Sequence, residues 1–149
     1  MRRREGLPRP HVGARRYVGP MSLPALSVVA LDCPDPVALA EFYSRVTGLA
    51  VEPLGDLSAD QVSWIELVSE GRPTIGFQKI DGFVAPMWPE GTVPQQLHLD
   101  FAVDDLDEGE AHVLAAGATK TEVQPGRTFR VYLDPVGHPF CLVLRGSED

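Results

Sequence analysis

Cysteine is scarce in this chain of 149 residues: Cys33 and Cys141 are the only two. Two cysteines make no disulfide framework, and no Cys-x-x-Cys spacing is present to hold a structural metal. Both are therefore expected as reduced, mostly buried thiols. Long apolar runs are missing as well, and nothing approaches the roughly 18 residues that cross a bilayer. The N-terminus lacks the apolar core of a secretory signal, so a cytoplasmic protein with no membrane partner is expected. No low-complexity tract, P-loop, dinucleotide fingerprint or Ser-His-Asp order occurs. What remains is the composition of a soluble globular protein, 44% hydrophobic and 23% charged, long enough for one domain with a sizeable core.

Charge is unevenly placed. The whole chain has 13 Lys and Arg against 21 Asp and Glu, but residues 1–20 hold six of the arginines (Arg2, Arg3, Arg4, Arg9, Arg15, Arg16) and one acid, Glu5. Residues 21–149 are left with 7 basic and 20 acidic side chains, a charge of −13. Phosphate backbones are bound by Lys/Arg patches, so nucleic acid is not expected as a partner. The basic leader is studded with Pro and Gly and has no helical apolar stripe. It is expected to be a disordered extension, with Met21 as an alternative start and a single domain over 21–149.

The chain repeats itself. Residues 26–36 and 96–106 are both short apolar-rich strands running into an Asp, and Asp35 aligns with Asp105 at an offset of 70. Each Asp sits where a helix N-cap belongs. A helical pattern follows each cap: Val37, Leu39, Ala40, Phe42, Tyr43 and Val46 up to Gly48, then Leu106, Ala111, Val113, Leu114 and Ala115 up to Gly117. Strand patterns come next, at 49–54, 62–68 and 74–80 in the first half and at 119–123, 128–133 and 140–144 in the second. The order is β-α-β-β-β twice, in modules 24–80 and 96–145 joined by a Gly/Pro-rich linker, an α+β chain with mixed sheets.

Three stretches carry a resemblance. Cys33-Pro-Asp-Pro36 leads to Ala40-Glu-Phe-Tyr43 and Gly48-Leu49; His98-Leu-Asp-Phe-Ala-Val-Asp-Asp-Leu106 leads to Ala116-Gly-Ala118; and Leu133-Asp-Pro-Val-Gly-His-Pro-Phe-Cys-Leu142 precedes the end. In this order they resemble the glyoxalase/bleomycin-resistance/dioxygenase (vicinal oxygen chelate) superfamily, in its glyoxalase-like branch. The resemblance implies two tandem βαβββ modules forming a cup, a homodimer, and a small organic molecule in the cavity. Metal-dependent members hold a divalent ion with four side chains from four strands, and those positions fall here on Val28, Gly76, His98 and Cys141. Val28 and Gly76 offer no donor, so no metal and no other cofactor is expected.

Candidate ligand-binding residues follow from the same placement. His98 and Asp100 are two apart, so strand periodicity puts them on one face, the cavity face within a cup. They are an acid/base pair or an anchor for a polar ligand; a lone strand His is otherwise a packed, hydrogen-bonded side chain. Gln78 is a hydrogen-bonding candidate on the fourth strand or an ordinary strand polar residue. Trp64 is a stacking wall or a packing residue. Cys141 lies among Phe140, Leu142 and Val143, so an inert thiol lining the cavity is expected. Asp134 and His138 read as turn residues, and His112 as solvent-facing or packed. Three functions stay open: a small-molecule binder; a lyase, isomerase or dioxygenase using His98 and Asp100 or a degenerate metal site; and a structural partner with a vestigial cavity.

Overall fold

The computed structural model describes residues 24–70, 72 and 74–147. The basic leader, residues 1–20, lies outside the described residues. The first module is β1 (Val28–Cys33), α1 (Pro36–Thr47), β2 (Ala50–Val51), β3 (Trp64–Val68) and β4 (Thr74–Lys79), with one 3-10 turn at Ala59–Gln61. The second is β5 (Leu99–Val103), α2 (Leu106–Ala116), β6 (Thr119–Lys120), β7 (Phe129–Leu133) and β8 (Pro139–Leu144). Each forms a four-stranded mixed sheet, in the orders β1-β4-β3-β2 and β5-β8-β7-β6. The first and last strands of each module pair in parallel and the other neighbours antiparallel, so the two modules share one topology.

The caps explain where the helices begin and end. Asp35 Oδ1 accepts from the backbone N–H of Val37 and Ala38, and Asp105 Oδ1 from that of Asp107 and Glu108. Gly48 and Gly117 close the helices at φ +75° and +114°, left-handed backbone that a Cβ disfavours. Replacing either Asp by Ala leaves two first-turn N–H groups without their acceptor. Each variant is expected to lose about 1 kcal/mol, read as a lower urea midpoint at unchanged slope.

The two modules share one core. Leu31, Ile65, Leu67 and Phe77 pack with Leu39, Ala40, Phe42 and Tyr43 of α1, and Tyr132, Phe140 and Leu142 with Val113 of α2. Tyr43 joins the halves, its ring 5.6 Å from Phe77, 6.1 Å from Phe101 and 6.3 Å from Phe140. The helices also touch directly: His112 Nε2 donates to the Val46 carbonyl and Arg45 to that of Ala116.

Three expectations need correcting. On α2, Ala111, Leu114 and Ala115 are exposed, and the stripe facing the core is Leu106, Gly109, Val113 and Ala116. Gly109 is the reason, because a Cβ there would stand 3.0 Å from Val103 Cγ1 and 3.1 Å from Leu142 Cδ1; its bare backbone sets the helix on the sheet. The strands expected at 49–54 and 119–123 are two residues each. Pro53 has no N–H to donate, which limits the first. The second gives way to a side chain: the Gln124 amide donates to the Val131 carbonyl and accepts from its N–H, standing in for a backbone partner. His98, expected within the fifth strand, ends the linker one residue before β5.

Candidate functional site

Each sheet buries one face against the helices and leaves the other open. On the second sheet the open face brings together His98, Asp100 and Cys141. The parallel register sets Asp100 directly beside Cys141 of β8, and His98, the residue before β5, brings its ring back to Asp100. His98 Nε2 lies 3.2 Å from Asp100 Oδ1. The donor atoms of all three residues fall within 4.8 Å of one another. His98 and Asp100 are exposed, while Cys141 is buried.

Proton positions follow from the partners. A neutral imidazole facing a carboxylate through Nε2 must carry its hydrogen there, because two lone pairs would otherwise oppose each other. Nδ1 is then an acceptor, and Gln95 Nε2 donates to it at 3.3 Å. The Cys141 thiol sits close to Asp100. Burial first, and then the Asp100 carboxylate beside it, push the thiol up to about 12. Reactivity belongs to the thiolate, whose fraction in mild base falls about a thousandfold when the group moves from 9.0 to about 12. Folded protein should therefore resist iodoacetamide at Cys141 at pH 8, while urea-unfolded protein is alkylated at once. Peptide mass spectrometry reads the ratio, and comparable rates in the two states would contradict this environment.

Behind these residues is a cavity of about 220 Å³, lined by Trp88, Gln95, His98, Pro125, Phe129 and Cys141 among others. Trp88, Gln95, Pro125 and Phe129 were not singled out in the sequence. Gln95 also carries a buried Oε1 with no hydrogen-bond partner.

Trp64 and Gln78 are on the open face of the first sheet and do not line this cavity. Gln78 is exposed, paired across β4 with Asp32 and Trp64. The Trp64 indole donates from Nε1 to Glu66 Oε1 at 2.9 Å, and Thr74 donates to Glu66 Oε2 at 3.3 Å. Pinned this way, the ring lies over Gly76: a Cβ at 76 would be 2.6 Å from its Cζ2, 2.8 Å from its Cη2 and 3.0 Å from Val28 Cγ2.

That geometry tests the fit of a chelated divalent ion. Position 28 is a valine, and position 76 has no side chain and no room for one. On the second sheet, His98 presents a proton to Asp100 rather than a lone pair, and burial keeps the Cys141 thiol protonated. The residues present do not fit the four-ligand chelate.

The remaining candidates are structural. Asp134, 4% exposed, accepts from Tyr43 Oη at 3.0 Å and from the N–H groups of Val136 and His138, so it shapes the turn and ties it to α1. Burial pushes its carboxyl above the usual range. His138 Nε2 donates to the Asp32 carbonyl at 2.7 Å, linking the second module to β1.

The family profile described as a glyoxalase-like domain matches residues 28–143. No curated protein matches the sequence. Among solved structures, a glyoxalase/bleomycin resistance protein from Albidiferax ferrireducens T118 is 26% identical, with a TM-score of 0.53 over 80% of this chain and 97% of that one. A glyoxalase/dioxygenase from Nostoc punctiforme is 18% identical, with a TM-score of 0.59 over 91% of this chain and 100% of that one. The fosfomycin resistance protein FosX from Mesorhizobium loti is 17% identical, with a TM-score of 0.59 over 82% and 92%. The last two carry the fold alone, and it is the fold of paired βαβββ modules found here. With the profile covering most of its length, the chain belongs to the glyoxalase-like domain family, within the glyoxalase/bleomycin-resistance/dioxygenase (vicinal oxygen chelate) superfamily.

Proposed function

We propose that this protein binds a small organic molecule on its open sheet faces and works without a resident metal. The observation that carries this reading is the indole of Trp64 over Gly76: the half of the chelate that the first sheet would supply is an apolar, aromatic wall. Such a wall suits a carbon-rich ligand, and His98, Asp100 and Gln78 supply a few polar groups to orient it, with Cys141 as an inert lining thiol. The protein acts as a homodimer in the cytoplasm, away from nucleic acid. In support, among the described residues β2 and β6 each have one paired neighbour, leaving a sheet edge that seeks cover. No helix among the described residues is long and apolar enough to cross a membrane, and residues 21–149 carry −13.

A second reading has its own support. His98 held as the Nε2–H tautomer between Gln95 and Asp100 is arranged as an acid/base group would be, its proton beside a carboxylate that can balance a gained charge. On that reading the protein is a metal-free lyase or isomerase of the same superfamily.

The test starts from protein purified without chelator. Elemental analysis should give far less than one divalent ion per chain, and native mass spectrometry should reveal any retained small molecule. His98→Ala should weaken retention of that molecule about tenfold, the equivalent of one lost hydrogen bond to a charged partner, with little change in melting temperature. Stoichiometric metal that disappears with His98 would overturn the metal-free reading. Severe destabilisation with ligand retained would make His98 a packing residue.

A further inference from the structure

A larger cavity, about 510 Å³, sits at the junction of the two modules beneath the linker, and of the residues lining the smaller cavity only His98 and Pro139 touch it. Its walls include Leu31, Ile80, Phe83, Val84, Leu97 and Leu99. Two of these, Val84 and Leu97, are 65% and 53% exposed, so the cavity leaves large apolar side chains in contact with water. An apolar molecule seated there would cover them.

The polar lining is unbalanced in sign. Among the described residues, no lysine or arginine lines the cavity, and Asp32 supplies the one carboxylate. Both histidines of the lining are engaged: His138 Nε2 donates to the Asp32 carbonyl, and the ring nitrogens of His98 are bonded to Gln95 and Asp100. The neighbourhood is acidic too. After burial, the charges of Asp35, Asp134 and Asp32 push the Cys33 thiol up to about 12, so three carboxylates converge on the end of β1 that borders the cavity. The body as a whole, at −13 over residues 21–149, concentrates cations around such an opening.

We propose that the junction cavity is a second binding site, taking a small apolar molecule that carries one positive charge, such as an aryl or alkyl ammonium. The apolar body fills the space between the linker and the edges of β1 and β5, and the ammonium faces Asp32. The inference stands apart from the reading of the second-sheet cavity, since Cys141 and Phe129 line that cavity and not this one.

Benzyltrimethylammonium and phenylmethanesulfonate are matched probes, close in size and opposite in charge. Titrated into the full ¹⁵N-labelled chain, the cation should shift the amides of Leu31, Leu97 and Leu99, and bind about tenfold or more tighter than the anion. Asp32→Asn, at an exposed position, should weaken the cation about fivefold and strengthen the anion, narrowing the preference between the two. Added salt should act in the same direction as that substitution. Cys141→Val should change neither probe, whatever becomes of the second-sheet cavity. Equal binding of the two probes, indifference to Asp32→Asn, or shifts confined to Trp88, Phe129 and Cys141 would each overturn the proposal. So would a dimer that excludes the cation and a Leu97→Ser monomer that admits it, since the cavity would then be a contact between copies.

Discussion

Tyr43→Ala is expected to lose about 4 kcal/mol of folding stability, a large part of what a domain of this size has to lose. Tyr43 is fully buried and makes ring contacts with Phe42 and Phe77 of its own module and with Phe101 and Phe140 of the other. Truncation opens a cavity where the two halves of the core meet, and neither half can close it without leaving the other. Tyr43→Phe isolates the hydroxyl. It keeps the ring but strips Oδ2 of the buried Asp134 carboxylate of its donor, at a cost of about 2 kcal/mol. Burial already raises the folded-state pKa of Asp134, while the Tyr43 bond opposes that rise. The folded state therefore holds this proton more tightly than the unfolded chain, and stability contributed by protonation fades as pH rises through the folded value. Losing the Tyr43 bond raises that value further, so the cost of Tyr43→Phe should be full at neutral pH and shrink as the solution is acidified. Urea denaturation of both variants at pH 7 and pH 5 reads the two effects. A Tyr43→Phe variant as stable as the parent at pH 7 would show that the Asp134 carboxylate does not need this donor.

Much of this architecture is written in local chemistry that one sequence displays. Asp35 and Asp105 mark helix starts because a carboxylate at that position has few other uses, and Gly48 and Gly117 mark the ends because the left-handed cap excludes most side chains. The repeat of these signals made the duplicated module readable before any contact was known. The buried stripe of α2 was not readable in the same way. Its centre is Gly109, which has no hydrophobicity to register, and the exposed Leu114 and Ala115 mimic a buried face.

The site divided along similar lines. Asp100 and Cys141 come together because parallel pairing is regular and can be counted off a sequence, while His98, one residue outside the strand, is held by its contacts with Asp100 and Gln95. Gln95 and Trp88 lie on an aperiodic linker, whose course depends on what it packs against rather than on its own pattern. Trp64 was visible as an aromatic on a strand, but its position over Gly76 is a cross-strand contact between β3 and β4, set by register and by the Glu66 carboxylate that pins the ring. The absent donor at Gly76 was legible, and the reason for its absence was not.

That reason gives the second large effect. Gly76→Ala is expected to cost about 2 kcal/mol, and Gly76→Glu about 3, because the new Cβ overlaps an indole that cannot swing aside without breaking its bond to Glu66. The φ at Gly76 is ordinary, so the penalty is steric and should vanish when the ring is removed. The pair Trp64→Ala with Gly76→Glu should therefore be more stable than the sum of the singles by about 2 kcal/mol. Urea denaturation of the four proteins closes that cycle. Titration with zinc or nickel adds an independent reading: Gly76→Glu alone should gain no affinity, since its carboxylate has no space to occupy, whereas the double variant presents a carboxylate on the open face of the first sheet and should bind the ion measurably more tightly than the parent. If Gly76→Ala instead leaves the urea midpoint where it was, the indole is free to move. The ring would then not be what keeps a side chain from position 76, and the wall proposed for an apolar ligand would not be fixed in place.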